Sequence, residues 1–353
     1  MFNCNKRGGC NSARLLVATI AGLPLLLLLW ISLYAFMPSA LPGQDETAVV
    51  IPPGLYFPAI EKKLVAAGLI REDPRFLLTA HLMGVASSLK AGEYILPSNP
   101  TPYRILREIA WGSRVQRPVT IPEGANLAEI AEILGRGGWV DPERFLELSR
   151  DREFISRLGY ELESLEGYLF PETYLFERGA QNAEAIIRTM VRQMGRVLEE
   201  TGAAAGLAEI GLDRHQIVTL ASIVEKETGR AGERPLIARV FLNRIEKGMR
   251  LQSDPTVIYG IENFDGNLTR SHLRELTLYN TYRIPGLPPG PIGNPGRAAI
   301  EAVMQPPPAS YFYFVSKNDG SHYFSETLTE HNRAVDKYQK SRRKKTTQLP
   351  DLS

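Results

Sequence analysis

The segment Leu15–Met37, LLVATIAGLPLLLLLWISLYAFM, contains no charged residue. About 20 apolar residues are enough for a helix to cross a hydrocarbon core of roughly 30 Å. No other feature limits the fold as strongly, because it divides the chain into a part before a membrane and a part beyond it. Pro24 would kink such a helix but is tolerated there. Trp30 and Tyr34 fall where aromatic residues favour the outer interface. Lys6, Arg7 and Arg14 precede the run, so the positive-inside rule predicts a cytoplasmic N-terminus and export of everything after Met37. The run exceeds the ~7–15 residues of a signal-peptide core and no small-x-small cleavage site is evident. A retained single-pass anchor in the inner (plasma) membrane is therefore expected, with the membrane itself as a partner.

The chain of 353 residues is 44% hydrophobic, which suits about two folded domains. Its net charge of +2 gives no global bias toward nucleic acid. The only cysteines, Cys4 and Cys10, precede the apolar run, so the exported part must be held by its cores rather than by disulfides. Neither cysteine has companion ligands that would suggest a metal.

After a linker at 38–47, two related segments follow. VVIPPGLYFPAIEKKLVAAGLIREDPRFLLTA begins at Val49, and VTIPEGANLAEIAEILGRGGWVDPERFLELSR begins at Val119. Each reads as a strand, an Ile-Pro-x-Gly turn, an amphipathic helix, then Asp-Pro opening a second helix. KAGEYIL, Lys90–Leu96, supplies a closing strand to the first copy, giving a β-α-α-β module. Helical spacing recurs over Ala180–Thr201 and Arg234–Lys247. Asn318-Asp319-Gly320 lies between alternating aromatic strands and predicts a hairpin. The end of the chain, 339–353, is basic and poor in apolar residues, a composition expected to be disordered.

Most familiar chemistries find no support. The histidines His81, His215, His272, His322 and His331 show no H-x-x-x-H or cysteine partnership, so neither a metal nor a cofactor is expected. No G-x-S-x-G elbow and no phosphate-binding glycine loop appears. LASIVEKETG, Leu220–Gly229, is more informative. On a helix Leu220, Ile223, Val224 and Glu227 share one face, so Glu227 ends an apolar stripe. Burial would hold its proton toward neutral pH. Glu225 follows the smaller stripe of Val218, Ala221 and Ser222. The plainer alternative is a helix running out into solvent, with Glu-Lys-Glu as ordinary surface. Around this stretch lie Tyr168, Tyr174, Gln252, Asp254, Tyr259, Tyr279, Asn280, Tyr282, Asn294 and His322. Aromatic faces with amide and carboxylate groups suit sugars, although many of these tyrosines could equally be core packing.

EGYLFPETY (Glu166–Tyr174), ASIVEKET (Ala221–Thr228), RLQSDPTVIYG (Arg250–Gly260), YNTY (Tyr279–Tyr282) and GLPPGPIGNPG (Gly286–Gly296) together resemble the signature blocks of the YceG-like endolytic murein transglycosylases. The blocks are long, ordered and correctly spaced, and the resemblance runs from the apolar segment to about Tyr338. It implies an α+β chain: cytoplasmic tail 1–14, transmembrane helix 15–37, linker 38–47, LysM-like module 48–115, mixed α+β catalytic domain 116–338 and tail 339–353.

By the same resemblance, the chain would be a lyase acting on nascent peptidoglycan glycan strands. It would cleave the β-1,4 bond between N-acetylmuramic acid and N-acetylglucosamine, leave 1,6-anhydro-N-acetylmuramic acid ends and terminate elongation beside peptidoglycan synthases. The implied catalytic residue is a glutamate of ASIVEKET; the helical stripe favours Glu227, with Glu225 as runner-up. Gln252, Asp254, Tyr279, Asn280, Tyr282, Asn294 and His322 are the expected substrate-binding residues. Two alternatives stand beside this: a muramidase-type hydrolase pairing Glu227 with Asp254 or Glu172, and a non-catalytic glycan-binding envelope protein.

Overall fold

A computed structural model of the chain describes residues 9–38, 46–97, 99–179, 181–208 and 211–340. The chain divides into two compact units, Met1–Pro118 with Leu175–Gln181, and Val119–Tyr174 with Asn182–Ser353. The class is mixed α+β, with many helices and small two-stranded sheets.

The first unit runs α1 (Gly9–Phe36), β1 (Thr47–Ile51), α2 (Phe57–Ala66), α3 (Pro74–Leu82), β2 (Gly92–Leu96) and α4 (Pro102–Trp111). Strands β1 and β2 pair antiparallel, from Thr47 opposite Leu96 to Ile51 opposite Gly92. The expected β-α-α-β order is thus formed. Asp73 accepts the Arg75 N–H and caps α3, with Pro74 in the first turn where no donor is needed. Ile60, Leu64, Phe76, Tyr94, Leu96, Ile105 and Ile109 form the core. The Tyr94 hydroxyl is satisfied by donating to the Lys90 and Ile109 carbonyls.

The expected membrane anchor and the inner-membrane localisation drawn from it need correction. Among the described residues no helix is long and apolar enough to cross a membrane. The apolar run lies largely in α1, whose last turns pack only in part against protein, since Leu29, Trp30, Leu33 and Phe36 stay exposed. Ile31 and Ala35 are buried, the Arg75 guanidinium sits 4.8 Å over Trp30 and 4.6 Å over Tyr34, and Phe36 packs 5.0 Å from Tyr103. Lys6, Arg7 and Cys4, most of the 38–47 linker and nearly all of the 339–353 tail lie outside the described residues.

From β3 (Gln116–Thr120) the chain continues through α5 (Leu127–Arg136), α6 (Pro142–Leu148), α7 (Arg152–Arg157) and β4 (Thr173–Glu177). Strand β3 pairs with β4, so the second repeat also acquires a closing strand, one that no turn signal announces in the sequence. Then follow α8 (Ala183–Glu200), α9 (Arg214–Glu227), α10 (Arg234–Glu246), α11 (Asp254–Tyr259), α12 (Arg297–Met304), β5 (Tyr313–Ser316), β6 (His322–Ser325) and α13 (Leu328–Val335). Asp213 and Gln216 form a capping box that starts α9. Every residue of α9 from Ile217 to Glu225 is buried, and α12 and α10 pack against it. Strands β5 and β6 form the expected hairpin, with Tyr313 opposite Ser325 and Ser316 opposite His322. Asn318 and Gly320 take the positive φ angles its turn requires.

Candidate active site

Because α9 is surrounded on all sides, both of its glutamates are drawn inward, and their partners distinguish them. Glu225 is ion-paired. Its Oε1 accepts from Arg234 at 2.7 Å, and its Oε2 accepts the Gly296 N–H at 3.0 Å, immediately before α12. A carboxylate there also meets the positive end of that helix.

Glu227 closes α9, half-buried, with one side on a pocket of about 420 Å³. Ser253 Oγ donates to its Oε1, and no cation pairs with it in contact among the described residues. Its pKa is pushed up to about 7, first by burial and then by the Asp254 charge, against the opposing hydrogen bond from Ser253 and the more distant Arg244. The carboxylate also stands at the negative end of α9, which disfavours its ionised form. A protonated acid is therefore available near neutral pH.

Arg244, from α10, is the buried cation of this pocket. It donates to the Phe312 carbonyl at 2.7 Å and the Leu251 carbonyl at 2.6 Å, and Tyr313 lies 5.3 Å from its guanidinium. Burial lowers its pKa from the ordinary guanidinium value, though an arginine keeps its charge in proteins. Next to Tyr313 the ring of His331 stacks at 5.3 Å. Its Nδ1 is buried without a partner, and burial, then Arg244, lowers its pKa.

Of the expected binding residues, the pocket brings together Gln252, Asp254, Tyr282 and His322 with Glu227. The Tyr282 hydroxyl donates to Asp254 Oδ1 at 2.7 Å. Gln252 is held at φ 51°, an uncommon conformation for a residue other than glycine, by its N–H bond to the Thr281 carbonyl. His322 Nδ1 lies 2.7 Å from Glu233 Oε2, and its backbone N–H donates to the same carboxylate.

The other three lie elsewhere in the second unit. Asn280 is fully buried and donates to the His272 and Glu275 carbonyls. Asn294 accepts the Leu169 N–H at 2.7 Å and donates to the Ala125 carbonyl and to Glu166. Tyr279 packs 4.8 Å from Tyr259. Tyr168 bonds to His215, and Tyr174 donates to the Phe170 carbonyl. Sequence reasoning missed Arg244, Ser253, Tyr313 and His331. Ser253 lay inside a quoted block. Nothing in the helical pattern of α10 marks Arg244, and a histidine far along the chain gives no sign of its neighbour.

A mixed α+β protein with one half-buried acid in a polar, aromatic-walled pocket is a plausible home for sugar chemistry. The model of the YceG-like family matches residues 49–337. The chain is 31% identical over 318 residues to an endolytic murein transglycosylase of Bacillus subtilis, covering 86% of this chain and 88% of that protein. It is 30% identical to an endolytic murein transglycosylase of Streptococcus pneumoniae, over 83% of this chain but only 58% of that longer protein. Among solved structures, a YceG-like protein of Listeria monocytogenes matches with a TM-score of 0.56 and 32% identity, over 83% of this chain and all of that one. The chain belongs to the YceG-like family.

Proposed function

We infer that this protein is a lytic transglycosylase of peptidoglycan, a lyase that cuts glycan strands internally with Glu227 as its acid–base group. The observation that carries the reading is Glu227 at the pocket wall, bonded to Ser253 and paired with no cation among the described residues, with its pKa pushed up to about 7 by burial. The names of its relatives supply the substrate class. Glu227 donates its proton to the oxygen between N-acetylmuramic acid and N-acetylglucosamine as the bond from C1 breaks. The new carboxylate takes the proton of the muramic C6 hydroxyl, whose oxygen closes on C1 to give a 1,6-anhydro end. The sugar's own hydroxyl is the nucleophile, so one carboxyl group serves both steps.

Gln252, Asp254, Tyr282 and His322 bind the strand in the pocket, and the ends released terminate elongation beside peptidoglycan synthases. Tyr279 and Asn280 brace the segment that leads to Tyr282, while Asn294 ties its own loop to Leu169, Ala125 and Glu166. The β-α-α-β module of the first unit is read as LysM-like, a second contact for glycan. No metal or cofactor takes part in this scheme.

A hydrolytic second reading draws on one fact: Asp254 lines the same pocket as Glu227. Mass spectrometry of digested glycan strands separates the two. Anhydro ends one water lighter than reducing ends are expected, and reducing ends alone would establish hydrolysis.

The pH dependence has a definite sign. The reaction starts from protonated Glu227, so turnover should fall as pH rises through about 7. Turnover that climbs steadily to pH 9 would assign the acid to another group.

A further inference from the structure

Glu166 is a buried carboxylate that this chemistry leaves unused, and unlike the ion-paired Glu93 and Glu225 it has no cation in contact among the described residues. Four donors converge on it. The Leu127 N–H at the start of α5 and the Tyr259 hydroxyl reach Oε2 at 3.2 and 3.0 Å. Asn294 Nδ2 reaches Oε1 at 3.3 Å, and the Gly167 N–H also bonds to the carboxylate. None of these is a cation. The charged and titratable groups facing the cluster are Glu129 on α5, Tyr259 on α11, Tyr279 against Tyr259, and Arg150. A glycine must follow Glu166: residue 167 has φ +83°, and a Cβ there would meet Pro291 Cγ at 2.4 Å. A buried carboxylate without a cation is costly, and the chain has built a tight frame around this one.

Tyr259 is the last residue of α11, and Ser253, which donates to Glu227, immediately precedes its first. At about 1.5 Å per residue this helix is a strut of only about 9 Å. The Ser253 end is locked as well, by its N–H to Thr281 Oγ1 at 2.9 Å and by Thr256 Oγ1 to the Ser253 carbonyl at 2.7 Å. We propose that Glu166 is a positioning residue: as a carboxylate it anchors Tyr259, and through α11 it fixes Ser253 against Glu227. This rests on the assignment of Glu227 as the acid.

The charge of Glu166 then matters. Three of its four partners are N–H groups that can only donate. A proton on Glu166 removes the charge these donors bind, and on Oε2 it would compete directly with the Tyr259 hydroxyl, loosening the strut at that end. Burial pushes the Glu166 pKa up to about 7 against the pull of its donors, so this change falls in the working range. Turnover should be lost on the acid side as Glu166 gains a proton and on the alkaline side as Glu227 loses one.

The test measures kcat and KM across pH on purified glycan strands, scoring anhydro ends. Tyr259→Phe, nearly isosteric, removes only the hydroxyl. It should lower kcat about 10- to 100-fold, as a displaced catalytic group does, with KM nearly unchanged. Glu166→Gln should do the same and abolish the acid limb, and Glu166→Asp should restore that limb and part of the rate. The proposal is overturned if Tyr259→Phe and Glu166→Gln keep wild-type kcat per folded molecule, or if the acid limb survives in Glu166→Gln. An active Glu227→Gln enzyme would instead refute the underlying assignment of the acid, so the two failures are distinct.

Discussion

Glu227→Gln should lose about 10²–10⁴-fold or more in glycan cleavage, the usual contribution of a general acid–base group, while the protein stays folded. The amide keeps the size of the side chain and an oxygen to accept from Ser253, but it has no proton to give. Stability should respond in the opposite direction from activity. The folded state binds the Glu227 proton more tightly than an ordinary carboxylate of pKa 4.5 does. Between about pH 4.5 and 7 the native form therefore carries more protons than the unfolded chain, and stability falls as pH rises through that window. Glu166 shares the window, so the substitution should make the fall shallower without removing it. Denaturation midpoints at several pH values, beside anhydro-end yields, check both halves. A variant that cuts glycan at the wild-type rate would sink the assignment.

Glu225 should behave in reverse. Its carboxylate and the Arg234 side chain are 4% and 11% exposed, so Glu225→Ala leaves a guanidinium mostly out of water, with only the half-exposed Glu123 at 3.3 Å to answer it. It also orphans the Gly296 N–H that opens α12. Breaking a buried pair from one side typically costs about 3–5 kcal/mol, a large share of the stability of an ordinary domain. A clear drop in the urea midpoint is expected, with cleavage per folded molecule largely retained. Replacing both partners with apolar residues of similar size should recover much of the loss. An unchanged midpoint would mean that water already screens the pair.

The repeat of strand, turn and Asp-Pro helix was readable in the sequence because capping and turn chemistry are local. Asp73 and Asp141 both cap the helices that follow them. The hairpin was readable for the same reason. The apolar stripe favoured Glu227 by comparing two faces of the helix, but α9 is buried on all sides from Ile217 to Glu225 and has no outer face to compare. What tells them apart is Arg234 and Gly296 against Ser253, contacts between distant parts of the chain. Apolarity was also a poor guide in Leu15–Met37: the run forms a helix with exposed leucines such as Leu23 and Leu29, yet no described helix is long and apolar enough to cross a membrane. The amides show the same limit from the other side. Asn280 and Asn294 look like sugar ligands in a list of polar residues, yet their side chains are consumed by backbone groups.

The pocket wall opposite Glu227 comes late in the chain. Tyr313, His322 and His331 belong to the hairpin and the helix after it, and the hairpin is tethered to α10 by Asn243 and Arg244, which donate to the carbonyls of Ala309, Tyr311 and Phe312. A polypeptide stopped before Tyr313 would lack these lining residues and leave Glu227 more open to water, which draws a carboxyl group back toward its ordinary acidity. Cleavage is therefore expected to depend on this late segment of the chain, a dependence that a truncation series scored for anhydro ends would measure.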